Sequence, residues 1–458
     1  MTALWTAADI AEATGGVQRG EFSADAVTFD SREVIGGELF VAMKGEETDG
    51  HRFIDSAMKR GAAGCLVSEP ITAPHVLVTD GLAALEALAK AARARTEATI
   101  IGVTGSVGKT SVKEALRLAL SEVDPEATHA SVKSYNNHTG VPLSLARMPV
   151  DSRFGVFEMG MNHAGELSAL TRMVRPHIAM VTAIASAHRE FFDSEEAIAD
   201  AKGEIFEGLQ GGGTAILPFD SPHYRRLRAK AEIHAAHIVS FGRKPGADVR
   251  VLRSAETDTG TVIVANVLGD EVGLTLRQPG RHWEANAMAV MAAAKAANAD
   301  LAAAALGLAQ MRGMAGRGAQ HVVDWDGGTL RLIDESYNAN DASMRASLAV
   351  LRDAPTKGRR IAVLGAIGEL GVESDAIHAG LADALRESGA DPVLLIGPAM
   401  QPLAEAMGAD LISDAGGAEE WLRGAAKAGD TVLVKGSNYH GLARLISAFK
   451  PDSNEGAA

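Results

Sequence analysis

The 458-residue sequence contains a single cysteine, Cys65. One thiol can neither close an internal disulfide nor build a multi-thiolate metal site, so packing must hold the fold, and a reducing compartment suits the chain. Within the strand-like run GCLVS, Cys65 reads as a small buried hydrophobe. No stretch approaches the ~20 uninterrupted apolar residues of a membrane-crossing helix. The first residues, MTALWTAADIAEATGG, have neither the basic start nor the apolar block of a secretory leader. The expectation is a soluble cytoplasmic protein. Positive charge is scarce too: 44 Lys and Arg against 58 Asp and Glu leave a net charge of −14, without the broad basic surface that general nucleic-acid binding requires. Any phosphorylated ligand must be held by local groups.

Hydrophobic residues make up 47% of the chain and charged ones 22%, enough apolar surface for two or three cores, with disorder expected only in the tail PDSNEGAA. Three segments follow, with boundaries at 1–95, 96–314 and 315–458. In the first, Thr6 can cap a short helix ending at Gly15-Gly16, and the strand-like ELFVAM and GCLVS flank the helical HRFIDSAMKRGA. The alanine-rich helix LAALEALAKAARAR leads to a boundary near Thr96. The second segment alternates short apolar strands (TIIGV, FGVFEMG, HIAMVTAI, GTAILP) with helices, the pattern of a parallel sheet covered on both faces. Residues 248–276 read instead as antiparallel strands, followed by an alanine-rich helical pair. GMAGRG, residues 313–318, reads as a hinge. Beyond it IAVLG, VLLIG and VLVKG, separated by helical segments, read as a doubly wound C-terminal sheet. The fold class is therefore α/β in three domains: a small N-terminal one, a central parallel sheet with a short antiparallel portion, and a Rossmann-like C-terminal one.

The stretch IIGVTGSVGKT, residues 100–110, misses the strict phosphate-loop spacing, because Val103 stands where the first glycine is expected. The strand, glycine-containing turn and helix are nonetheless intact. That context aims backbone N–H groups and the positive end of a helix dipole at phosphate oxygens. Thr104, Gly105, Ser106, Val107, Gly108 and Ser111 then line a nucleotide, Lys109 reaches its β- and γ-phosphates, and Thr110 binds Mg²⁺. Glu158 closes the strand FGVFEMG, and ligands gather at the carboxyl ends of parallel strands, so it is a candidate magnesium ligand; a merely solvated acid is the alternative.

TGSVGKT, with SYNNHTGVPLSL and FEMGMNHAGEL downstream, resembles the Mur ligases, ATP-dependent enzymes that build the peptide of cell-wall precursors. The resemblance extends over nearly the whole chain through DSREVIGGELFVAMKGEETDGHRF, AHREFF, AKGEIF, GRHWEANAMA, IDESYNANDASM and VLVKGS. The combination of DSR, LFVA, KG and DGH with SYNAN is similar to the members that join D-alanyl-D-alanine to a UDP-N-acetylmuramoyl-tripeptide. What this implies is a carboxylate activated by ATP as an acyl phosphate and attacked by the dipeptide's amine. The resemblance further implies that His188 is a metal-side ligand and that Lys202 is carbamylated to hold a second Mg²⁺, although lysine on a helix is ordinarily a solvated cation. It places Asn137, His282, Asn286, Arg317 and Asp334 around ATP. Ser31 and Arg32 hold the uridine diphosphate with help from Lys44, and an arginine fork suits a pyrophosphate. Tyr337, Asn338, Asn340, Lys435 and Ser437 fall on the dipeptide side. ATP would bridge two domains and favour their closure, and a monomer is expected.

The chain departs from the family pattern at Ala366, where an acid is usual, at Asp341 in place of proline, in KGSNYHGLARL and in AHREFFDS. These changes bear on the dipeptide site and leave the ATP and metal machinery untouched. The tetrapeptide D-N-P-R of the diaminopimelate-adding relatives is absent. Two alternatives stay open. A folylpolyglutamate synthetase would run the same chemistry without a uridine-binding domain, which residues 1–95 resemble. A P-loop ATPase or switch would hydrolyse ATP without either further substrate.

Overall fold

The computed structural model describes residues 3–45, 48–185, 190–257 and 260–450. Among these, the strands form sheets of five, nine and six members and one antiparallel pair, Trp5–Thr6 with Ser23–Ala24.

In the five-stranded sheet Ala26–Thr28, Glu38–Val41, Gly64–Val67 and His75–Leu77 lie side by side in parallel, and Val17–Arg19 closes one edge antiparallel. Thr6 caps the helix Ala7–Thr14 through a reciprocal pair of bonds with Asp9, and Gly15 ends it in a left-handed conformation. Cys65 is fully buried in its strand, and burial pushes its thiol up to about 12. The helix Gly81–Ala94 is capped by Asp80 and lays Leu85, Leu88 and Ala92 on this sheet. Its core also takes in Leu143 and Ala146, so the first and second segments pack as neighbours. Each buried leucine there contributes about 1.5–3 kcal/mol.

The nine-stranded sheet runs Asp270–Leu276, Gly260–Val267, Val249–Thr257, His237–Gly242, Thr214–Pro218, Ile178–Val181, Thr99–Thr104, Phe154–Glu158, Thr128–Ala130. The first three pair antiparallel in succession and every later pairing is parallel, the mixture the sequence suggests. Strand side chains alternate between two cores. Ile101, Val103 and Val156 meet Val112, Leu116, Met288 and Leu308 on one face, while Ile100 and Phe157 meet Leu167, Ile198 and Leu227 on the other. Thr99–Thr104 lies between Phe154–Glu158 and Ile178–Val181, both parallel to it, so their carboxyl ends open together at one rim.

The six-stranded sheet pairs Ala319–Trp325 with Gly328–Glu335 antiparallel, then continues in parallel through Thr431–Lys435, Arg360–Gly365, Ala390–Ile396 and Asp410–Ile412. Helices cover both faces, with Leu348, Leu385 and Leu403 in one core and Leu422, Leu445 and Ile446 in the other.

Candidate active site

The phosphate-loop question resolves in the backbone. Val103 is buried inside its strand, level with Glu158 of the neighbouring strand, and lies below the loop. The demand for glycine falls later. A β-carbon at Gly105, whose φ is +152°, would sit 2.0 Å from Thr182 Oγ1, and Gly108 has φ +83° at the head of the helix Lys109–Val123. Thr182 Oγ1 in turn donates to the Val107 carbonyl at 2.6 Å, and Ser106 N–H donates to the Ala183 carbonyl at 2.8 Å, so the adjoining strand fixes the loop. The Thr104 and Ser106 hydroxyls are buried without a protein partner, and Ser111 lies in the first turn of the helix. A β-carbon on Gly108 would lie 3.3 Å from Asn286 Oδ1, which brings Asn286 against the loop from the helix Arg281–Ala296. His282 is exposed in that helix's first turn.

Lys109 Nζ donates to the Gly105 carbonyl at 2.8 Å. Burial lowers its pKa, the nearby carboxylate of Glu158 opposes that shift, and the guanidinium of Arg317 adds to it. The structure thus gathers Lys109, Glu158 and Arg317 in one place. Glu158 is buried; Asn136 Nδ2 donates to its Oε1 at 2.7 Å, and its backbone N–H donates to Ser131 Oγ at 3.3 Å. Its Oε2 is buried with no partner among the described residues. Sequence reading singles out Asn137, whose carboxamide oxygen instead accepts the Gly140 N–H at 2.9 Å at the start of the helix Gly140–Ala146. It passes over Asn136, and only the fold brings that side chain to Glu158.

Lys202 ends the helix Glu195–Gly203, capped by Ser194. It is fully buried, and its Nζ has no hydrogen-bond partner among the described residues. Burial holds its pKa well below the ordinary lysine value, the charge of Lys109 lowers it further, and Glu204 and Glu166 counteract only in part. Such a shift favours the uncharged, nucleophilic form of the amine. His188 lies outside the described residues.

From the C-terminal segment, Arg317 Nη2 donates to Ser134 Oγ at 3.2 Å, and its guanidinium lies 3.9 Å over the Tyr337 ring. Ser134 Oγ is also 3.3 Å from Thr110 Oγ1. Asp334 is buried, accepting from the Gly316 N–H at 2.8 Å and the Ser336 hydroxyl at 2.6 Å, so its carboxylate braces the Gly-rich turn. Lys435 is buried, donates to the Asn338 carbonyl at 3.0 Å and lies 3.7 Å from Glu335. Burial lowers the lysine and raises Glu335, each opposed by its partner. Ser437 Oγ accepts the Gly368 N–H at 2.8 Å. Asn340 caps the helix Asp341–Asp353 through Ser343 N–H at 2.9 Å.

Ser31, Arg32 and Lys44 follow the carboxyl ends of the adjacent parallel strands Ala26–Thr28 and Glu38–Val41. Ser31 is buried. Arg32 is exposed, with its guanidinium forked onto Asp30 at 2.7 and 2.9 Å, and Lys44 pairs with Glu69 at 2.7 Å. Each cation therefore already has an acid of its own.

Comparison with known proteins matches three stretches of the chain. Residues 24–96 match the catalytic domain of the Mur ligase family, 103–294 the Mur ligase middle domain and 317–438 the Mur ligase glutamate ligase domain. The UDP-N-acetylmuramoyl-tripeptide–D-alanyl-D-alanine ligase of Escherichia coli K12 is 36% identical over 397 residues, 86% of either chain. A crystal structure of MurF from Acinetobacter baumannii superposes with a TM-score of 0.83 at 29% identity, covering 97% of this chain and 98% of that one. MurF from Thermotoga maritima, solved in complex with ADP, gives 0.75 at 26% identity over 93% and 96%.

Proposed function

The chain belongs to the Mur ligase family, and from that premise we infer how its residues divide one reaction among them. The protein is an ATP-dependent ligase that joins D-alanyl-D-alanine to a UDP-N-acetylmuramoyl-tripeptide by an amide bond, in the synthesis of peptidoglycan precursors. In this reading residues 1–95 bind the UDP-linked substrate, 96–314 bind ATP, and 315–458 bring the dipeptide. The enzyme acts as a monomer in the cytoplasm. ATP activates the tripeptide carboxylate as an acyl phosphate, and the dipeptide amine displaces the phosphate.

The observation that carries the reading is a pair of buried polar atoms beside Lys109 that have no partner among the described residues: Glu158 Oε2 and Lys202 Nζ. A carboxylate oxygen without a donor at the head of a phosphate loop calls for a cation. Magnesium, when bound, supplies positive charge that offsets crowded carboxylate and phosphate oxygens. Glu158 Oε2 and the Thr110 hydroxyl are the donors suited to it, with His188 as a further ligand. Lys202 as an ammonium would repel such an ion. As an uncharged amine it adds to carbon dioxide with loss of a proton, and the resulting carbamate is an anion suited to a second magnesium.

The protein's own groups do the rest. The N–H groups at the head of the helix Lys109–Val123 orient phosphate oxygens, and Lys109 offsets their charge. Asn286 stands at the loop to meet adenine, with His282 on the same helix. Arg317 reaches the nucleotide from the C-terminal side, and Asp334 sets the Gly316–Arg317 turn. Ser31, Arg32 and Lys44 take the uridine diphosphate, for which Arg32 exchanges Asp30. Tyr337, Asn338, Lys435 and Ser437 face the dipeptide, and Asn340 shapes that loop as a helix cap. Phosphate release tests the whole. It should require ATP, D-alanyl-D-alanine and the UDP-tripeptide together, whereas steady release from ATP alone would mark a nucleotide switch.

A further inference from the structure

Residues Lys133 to Asn136 connect the strand Thr128–Ala130 to the helix Gly140–Ala146, and their side chains alternate in destination. Lys133 ion-pairs with Glu33 of the N-terminal segment, and the Tyr135 hydroxyl donates to the same carboxylate oxygen at 3.1 Å. Ser134, between them, stands 3.3 Å from the Thr110 hydroxyl and accepts from Arg317. Asn136 reaches Glu158. Four consecutive residues thus touch all three segments, and two of them touch the proposed magnesium donors.

Glu33 is equally engaged. Its other oxygen accepts from Arg147 and from the Thr28 hydroxyl, each at 3.2 Å. Burial works against its ionisation, but the bonds from Lys133, Arg147 and Tyr135 outweigh that and hold its pKa below the usual value. Glu33 closes the turn Ser31–Glu33, directly after the two residues read as UDP-binding. The backbone at Lys133 is left-handed, φ +53°, which a lysine adopts only where its surroundings impose it. Here those surroundings are the contacts on either side.

We propose, building on the functional reading above, that Glu33 is a positioning residue for the ligation. Through Lys133 and Tyr135 it holds Ser134 and Asn136 against Thr110 and Glu158, so that occupancy of the UDP-substrate site tightens the nucleotide site. The connector has no slack to absorb a displacement, because four residues span at most about 14 Å when fully extended. A diphosphate drawn to Arg32 competes with Asp30 for the guanidinium and shifts the turn that Glu33 closes. That shift passes through the ion pair to residues bonded at the catalytic rim.

The test is calorimetric binding of a non-hydrolysable ATP analogue, with and without saturating UDP-N-acetylmuramoyl-tripeptide. It uses the wild-type chain, Tyr135→Phe, Lys133→Met, their combination, and Lys133→Arg. In the wild type the UDP-substrate should tighten analogue binding about 5- to 20-fold, within the usual range of coupling between sites. In the double variant that factor should fall below about 2, with analogue affinity in the absence of substrate unchanged. Its kcat should drop while KM for D-alanyl-D-alanine holds, and Lys133→Arg should retain coupling. Tyr135→Phe keeps the ring that packs beside Phe29, so if the double variant does not fold, reduced coupling in this single variant decides the matter. Undiminished coupling in the folded double variant, or in Tyr135→Phe where the double variant does not fold, overturns the proposal, as does a wild type that binds both ligands independently. A wild type that binds neither ligand overturns the functional reading itself.

Discussion

Asn136 donates to one oxygen of Glu158 at 2.7 Å and leaves the other oxygen buried, without a partner among the described residues. That bond fixes the carboxylate's rotation, and so decides where its free oxygen points. Gly160 makes room for the arrangement: a β-carbon there would lie 2.7 Å from Asn136 Oδ1. Groups that orient a metal-binding carboxylate typically matter 10- to 100-fold. Asn136→Ala should therefore lower kcat by about 10- to 100-fold and raise the magnesium concentration needed for half-maximal rate, with KM for the UDP-substrate unchanged. Steady-state kinetics over a magnesium series measures both, and a rate within twofold of wild type would mean that Glu158 needs no such guide.

Lys109 belongs to the central sheet, and the residues read as UDP-binding belong to the first one. Lys109→Ala should abolish turnover while UDP-substrate affinity, measured by calorimetry, stays within about threefold, since one kcal/mol corresponds to a factor of about five. Equal loss of both functions would refute the division of roles between segments.

Gly105 is the position where the loop tolerates no side chain. With Thr182 Oγ1 2.0 Å from where a β-carbon would sit and φ at +152°, Gly105→Ala must move either the loop or the neighbouring strand. Nucleotide affinity should fall at least about tenfold, the equivalent of 1.4 kcal/mol. Val103→Gly, at the position where the strict motif has glycine, should gain nothing in nucleotide binding and should lower the melting temperature by removing a buried strand side chain. Tighter nucleotide binding by Val103→Gly would restore the strict motif as the functional one.

Much of this architecture is legible in the sequence because it is local. Runs such as IAVLG and VLLIG are apolar over their whole length, which only strands buried on both faces require. The hairpin Ala319–Trp325 and Gly328–Glu335 also had a signal. Asp326-Gly327 is a two-residue turn with both φ positive, at +46° and +75°, the preferred chemistry for such a loop. The helix Tyr224–His234 did not announce itself, since it buries only Leu227 and Ala231 among many charged residues. Site residues were harder to read where their partners lie far along the chain. Asn136 and Asn137 are chemically identical, and only tertiary folding turns one to Glu158 and the other to a helix start. Arg32 reads as a free fork for phosphate, yet Asp30 two residues earlier occupies it.

The strand that leads into this connector carries a titratable group. His129, in the strand Thr128–Ala130, shares a hydrogen bond of 2.8 Å with the Ser144 carbonyl through Nε2 and lies beside the Phe157 ring. Burial lowers its pKa from 6.5 to about 4, partly opposed by the Ser144 bond, with the charge of Arg147 lowering it further. The folded protein therefore holds this imidazole neutral at pH values where the unfolded chain binds a proton. Stability from this group is complete above about pH 6.5 and is lost as the pH falls from there through about 4, by at most about 3 kcal/mol. His129→Gln keeps an N–H for Ser144 and removes the titration. Chemical denaturation at pH 7.5 and at pH 4.5 should show the variant losing less stability on acidification than the wild type, and equal losses would show that His129 stays accessible to protons in the folded state.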